Sequence, residues 1–475
     1  MKTTNFSKLE LSKDEMQQYA YQVSDAIVAH FVLQNTKKAV VQASRKEMDK
    51  LFSEGVPENP TDPNKILDFV LNEIISRSNI VSHPKSYSFV PGPSNFISAM
   101  ADSLASGFNI FAGGWAASPA AAEIEIVTTN WLLSLFGFPV KNGGGLFTSG
   151  GSMANLTALT TARNVKCGDD FSKAIIYLSD QAHSSNIKAI RVLGFKKEQI
   201  RIIPTDMEFK ISLNKLKNAI AKDRIEGFQP FCFLASAGTT NTGSVDPLLE
   251  LATICKKEQL WLHVDAAYGG AAILSPNGKK LLVGIEKADS ITVDPHKWFY
   301  QPYEIGCLLV RNHKWLSGTF TEKPEYLRDI EGNESEINFY DRGIELTRRF
   351  RALKFYMSIK TFGLNSFREA VSYTISLAEE AENELRKSDK WEVISPATLA
   401  IINFRYHPIH KKMTEKQLDA INQKISEKIV ASGEAVLVTT ILNKQVVLRM
   451  CLINPRTTIK DVKSTIELCE KFAEE

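Results

Sequence analysis

The strongest limit on the fold lies between residues 144 and 310, where short apolar runs alternate with helix-forming stretches. Runs at 146–148, 173–180, 200–203, 231–236, 260–265, 290–293 and 306–310 are apolar, several of them rich in Ile and Val, and too short for helices. Helix formers such as 154–162, 213–221 and 248–255 stand between them. Strands alternating with helices predict a mainly parallel sheet covered on both faces. Ligands of such sheets bind where the strands run out at their carboxyl edge. The polar residues at the strand ends are therefore the candidate site.

Each end carries something useful. The 290–293 run stops at Pro295, which cannot continue a ladder, and is followed by His296 and Lys297. An amine placed there can form a Schiff base with a carbonyl. The 146–148 run enters Ser149-Gly150-Gly151-Ser152 and then a helix former. A strand, a glycine turn and a helix start point backbone N–H groups at a phosphate, although the spacing matches neither a Walker A loop nor GxGxxG. His183 follows 173–180, Thr239 follows 231–236, and Asp265 closes 260–265 among small residues such as Ala266 and Ala267. An amine, a carboxylate, a phosphate cradle and a flat ring together suit pyridoxal 5'-phosphate. Lys297 is then the Schiff-base lysine and His183 the ring-stacking group. Asp265 is the pyridinium partner, because a nearby negative charge raises the pKa of the ring nitrogen.

The motifs SGGSMAN (149–155), SDQAHSS (179–185), SAGTTNTGSVDP (236–247), HVDAAYGG (263–270) and ADSITVDPHKW (288–298) resemble those of the group II pyridoxal-phosphate decarboxylases, which have the fold type I architecture. Within that group, SFVPGP (88–93), NIFAGGW (109–115), ELTRRFRALK (345–354) and NPRTT (454–458) resemble aromatic L-amino-acid decarboxylases, above all bacterial enzymes acting on tryptophan. The resemblance implies a seven-stranded-type sheet, a homodimer with shared active sites, and an aryl-alkyl amine and CO₂ as products. It places Gly151, Ser152 and His296 at the phosphate and Thr239 and Ala267 at the cofactor. Arg449 falls near the substrate carboxylate. Phe89, Val90, Pro91 and, from the other subunit, Phe111 match side-chain pocket positions. Animal and plant relatives carry a catalytic tyrosine where this chain has Phe339, with Tyr340 beside it. Relatives with phenylalanine there release an aldehyde instead. Tyr340 and Tyr326 are the candidate catalytic proton donors, and the spacing does not choose between them. Gly113 replaces a bulky aromatic and, with Gly92, implies a roomier pocket that admits indole. A non-catalytic protein on the same scaffold is the remaining alternative.

Three parts are expected: a helical arm over 1–85 that packs on a second subunit, a cofactor-binding domain over 86–345, and a small α+β domain over 346–475. Helices are expected over 346–362 and 367–387. The 83–93 loop, with three prolines and a glycine, either lines an apolar pocket with Tyr87 and Phe89 or serves as a connector. Arg449, inside an apolar strand, needs an anionic partner, either a structural carboxylate or a substrate. With 57 Lys+Arg against 54 Asp+Glu, charge gives no reason to expect nucleic acid or an anionic membrane. No apolar run is long enough to span a bilayer, and the polar N-terminus lacks a signal-peptide core, so a cytoplasmic location is expected. The six cysteines form no CxxC pair and read as free thiols, with no metal site.

Overall fold

The computed structural model describes residues 9–90, 92–322 and 336–475. Three helices come first: α1 (Lys13–Leu33), α2 (Arg45–Phe52) and α3 (Pro63–Phe69). The side chains of Ser12, Ser44 and Asp62 accept backbone N–H groups at their starts, satisfying donors that a helix start leaves open. α1 buries none of its residues, and Tyr21, Val28 and Val32 on it are exposed. Two further helices, α4 (Phe96–Gly107) and α5 (Pro119–Leu135), lead into the large sheet.

The large sheet is built by β1 (Gly144–Thr148), β2 (Ala174–Ser179), β3 (Ile200–Ile203), β4 (Gln229–Ser236), β5 (Trp261–Asp265), β6 (Ser290–Val293) and β7 (Gly306–Val310). Between and after them lie α6 (Gly151–Cys167), α7 (Ser184–Val192), α8 (Leu213–Ile225), α9 (Leu248–Glu258), α10 (Pro276–Leu281) and α11 (Lys314–Phe320). The strand order is β1-β7-β6-β5-β4-β2-β3. Strands β2 to β6 pair in parallel, while β7 runs antiparallel to both neighbours. The central strands are buried throughout, as expected of strands covered on both faces. Ser236, Asp265 and Thr292 stand level in the register of β4, β5 and β6, so these strands stop at one edge together.

The rest of the chain adds α12 (Arg351–Arg386), β8 (Trp391–Thr398), β9 (Ile401–Tyr406), α13 (Glu415–Ser432), β10 (Val438–Leu442), β11 (Gln445–Cys451) and α14 (Ile459–Glu474). Its four strands form an antiparallel sheet in the order β10-β11-β9-β8. Residues 346–350, expected to be helical, precede the helix start at Arg351. The expected break after 362 falls at Gly363, whose φ of +70° is non-helical. α13 was not anticipated, although its signals are present: Thr414 and Gln417 make a capping box and Gly433 ends the helix left-handed.

Two tertiary ties matter for the site. The first is a buried ion pair joining α5, β1 and the chain before α12. Arg348 Nη2 lies 2.6 Å from Glu125 Oε1 and donates to the Phe147 carbonyl at 2.7 Å, while the Phe147 N–H donates to Glu125 at 2.8 Å. The second is a stitch at Tyr87: its N–H donates to the Val436 carbonyl and its own carbonyl accepts from the Cys451 N–H. All six cysteines are free. Among the described residues no helix is long and apolar enough to cross a membrane.

Candidate active site

The level strand ends open onto a cavity of about 400 Å³. Gly151, Ser152, His183, Thr239, Asp265, Ala267, His296 and Lys297 all line it. The turn from β1 into α6 contributes Gly151 and Ser152 at the start of a 17-residue helix, where N–H groups and the helix dipole favour an anion. A Cβ on Gly151 would stand 2.8 Å from Asp294 Oδ2, so only glycine leaves this cradle open.

Lys297 Nζ lies 3.0 Å from Asp294 Oδ2. Burial by itself would lower the Lys297 pKa, but the carboxylates of Asp294 and Asp265 outweigh it and raise it. His296 donates from Nδ1 to the Ile305 carbonyl at 2.7 Å. Asp265 accepts at Oδ2 from Asn155 (2.9 Å) and Asn186 (2.8 Å), and at Oδ1 from the Ala267 N–H (3.2 Å). Burial opposes its charge, yet Lys297, the Asn186 hydrogen bond and the other donors hold its pKa below the ordinary value. His183 caps α7, its Nδ1 accepting from the Ser185 N–H. Burial depresses its pKa and favours the neutral, flat ring. Thr239 is buried and pairs with Thr242 at 2.8 Å between hydroxyl oxygens.

The amine, the ionised acid, the neutral flat ring and the open glycine cradle fit pyridoxal phosphate group by group. The family model described as the pyridoxal-dependent decarboxylase conserved domain matches residues 46–407. The chain belongs to this family. It is a pyridoxal-phosphate-dependent carboxy-lyase. It is 47% identical to an aromatic-L-amino-acid decarboxylase of Bacillus atrophaeus, over 98% of this chain and 97% of the relative. It is 28% identical to a phenylacetaldehyde synthase of Arabidopsis thaliana, over 98% and 96% of the two chains. Its structure superposes on that of Oryza sativa TDC, solved with PLP and tryptamine, with a TM-score of 0.93 at 27% identity, covering 98% and 99% of the two chains.

Some residues of this decarboxylase stand differently from the sequence expectation. Among the described residues Arg449 meets no carboxylate: Nε donates to the Thr240 carbonyl at 2.7 Å and Nη1 to the Phe89 carbonyl at 2.5 Å. The two backbone carbonyls meet only part of the guanidinium's need for acceptors, and the buried Nη2 finds none among the described residues. Phe89, at φ +55°, is exposed, and Val90 is buried. Phe339 is buried under the guanidinium of Arg348, 5.0 Å from the ring centroid. Tyr340 packs against Gly114, apart from the residues lining this cavity. Pro91 and Tyr326 lie outside the described residues. Within this chain, what Gly113 and Gly92 allow is close packing. A Cβ on Gly113 would meet the Phe111 ring at 2.4 Å and the Leu346 carbonyl at 2.6 Å. One on Gly92 would meet the Lys297 carbonyl at 2.0 Å.

Gly92→Ala therefore forces either the loop or the lysine backbone to move. We expect a loss of about 1–3 kcal/mol of stability, the scale of overpacking, with weaker cofactor retention. Denaturant unfolding and absorption spectra check this; wild-type values for both would contradict the contact.

Sequence reasoning missed Asp294, Asn155, Asn186 and His263. Asn155, His263 and Asp294 lie inside the quoted motifs and Asn186 directly after one. What assigns their roles is contact across the fold.

Proposed function

We propose that this decarboxylase acts on an aromatic L-amino acid, with tryptophan as the first candidate and phenylalanine or tyrosine as alternatives, and releases the aryl-alkyl amine and CO₂. The observation that carries the reading is the grouping of Lys297, Asp265 and His183 on one cavity, with Gly92 of the preceding loop set against the Lys297 carbonyl. The 47% identity to the Bacillus atrophaeus enzyme supports the substrate class.

When bound, pyridoxal phosphate supplies an electron sink for the pair left by departing CO₂. Lys297 would supply the amine that tethers the cofactor. Asp265 keeps a proton on the ring nitrogen. His183 would cover the ring, and Ser152 with the α6 N–H groups would hold the phosphate. Tyr340 is the proposed source of the proton that replaces the carboxylate, delivered across a homodimer interface where Phe111 lines the partner's pocket. The unburied face of α1 supports such a dimer. The soluble, cytoplasmic reading rests on sequence composition.

Phe339, in place of the tyrosine expected of amine-forming relatives, favours a second reading: release of an aldehyde, ammonia and CO₂, with O₂ and water consumed and hydrogen peroxide formed. One assay separates the two. With tryptophan, phenylalanine and tyrosine in turn, we expect amine equal to CO₂, from a species of twice the 53.0 kDa chain mass by light scattering. Peroxide equal to CO₂ overturns the amine reading, and turnover of none of the three overturns the substrate class.

A further inference from the structure

Behind Asp265 runs a line of buried polar groups that the reaction as described does not use. Trp261, His263 and Asp265 alternate along β5 and so share one face. Ser290 stands opposite His263 in the register of β6. Trp261 Nε1 donates to Ser290 Oγ at 2.9 Å, and Ser290 Oγ lies 2.8 Å from His263 Nδ1. His263 Nε2 lies 3.1 Å from Asn155 Oδ1, and Asn155 Nδ2 donates to Asp265 Oδ2 at 2.9 Å. Trp261, Ser290, His263 and Asn155 are each at most 1% exposed, so water does not substitute at any link.

The direction of this line follows from its first member. An indole N–H can only donate. Ser290 receives that bond, and its own proton has His263 Nδ1 as the remaining partner. Nδ1 is then the acceptor, so Nε2 carries the proton and donates to the Asn155 oxygen. The Asn155 amide is thereby turned with its NH₂ toward Asp265. Burial depresses the His263 pKa and keeps the ring neutral, as a tautomer with one donor and one acceptor requires. Oδ2 of Asp265 takes two amide donors, whereas Oδ1 takes only the longer Ala267 bond. That leaves Oδ1 to face the cofactor ring.

We propose that Trp261, Ser290 and His263 form a one-way hydrogen-bond relay that orients Asn155 and so fixes which oxygen Asp265 presents to the cofactor. His263 is a positioning residue in this scheme. The inference rests on Asp265 being the ring partner.

The test compares holoenzymes of His263→Leu, His263→Gln, Ser290→Ala and Asp265→Asn. Two quantities are read: the rate of cofactor release into a trap, and the pH dependence of the visible absorption. Leucine fills the space of His263 without polarity, whereas glutamine restores a donor and an acceptor. His263→Leu should release the cofactor about tenfold or more faster and move the pH midpoint, the scale seen when an outer partner of a site is lost, while His263→Gln stays within about threefold of wild type. Ser290→Ala should change both readouts in the same direction and covers the case in which His263→Leu does not fold. Wild-type behaviour of His263→Leu or of Ser290→Ala overturns the relay, as does His263→Gln failing as badly as His263→Leu. An Asp265→Asn enzyme with wild-type spectra would overturn the assignment of Asp265 itself, which separates the two failures.

Discussion

Lys297→Ala should lower turnover by at least about a thousandfold, the scale of removing a positioned acid–base or nucleophilic group, and abolish the borohydride-sensitive visible absorption of the holoenzyme. The amine stands at the end of β6 with its Nζ 3.0 Å from Asp294. Asp294 and Asp265 together favour its charged form, so a proton must leave Lys297 before it can attack a carbonyl. The backbone that follows stays packed, since Trp298 and Phe299 are fully buried. Unfolding by denaturant should therefore change little. A variant that kept turnover within tenfold of wild type would remove Lys297 from the mechanism.

The second large effect concerns stability. Arg348→Met leaves Glu125 buried without its cation and should cost about 3–5 kcal/mol, the range for breaking one partner of a buried pair. Both side chains are 1% exposed, so solvent screens neither. The double variant Glu125→Gln/Arg348→Met removes the stranded charge and should recover part of the loss. Denaturant midpoints measure both. A single-variant loss below about 1 kcal/mol, the value of an exposed pair, would mean that the pair is not energetically buried.

The two cases show what kind of information the chain displays in its sequence. Lys297, Asp265 and His183 were legible because each closes a short apolar run, and parallel topology sends every such end to one edge. Their immediate partners were not legible. Asn155 reaches Asp265 across 110 positions and Arg348 reaches Glu125 across 223, and no local periodicity encodes such distances. Asp294 looked like part of a strand stop beside Pro295, and only the turn that follows brings its carboxylate to Nζ. The antiparallel course of β7 and the interior place of β6 and β5 depend on pairing order, which the same runs of apolar residues would permit in several arrangements. Arg449 illustrates the converse. The need for a partner was inferred from its strand; carbonyls of two loops meet part of it, and the buried Nη2 is left without an acceptor among the described residues.

The segment from Ser86 to Gly92 touches three things at once: the small sheet through Tyr87, the Arg449 clamp through the Phe89 carbonyl, and the Lys297 carbonyl through Gly92. A loop anchored this way is not an independent module, whatever part it takes in the proposed substrate pocket. Swapping it alone for the loop of another family member would leave β11 and the lysine turn matched to a departed neighbour. Changing specificity by recombination in this chain therefore requires exchanging the loop together with β11, as one inherited block.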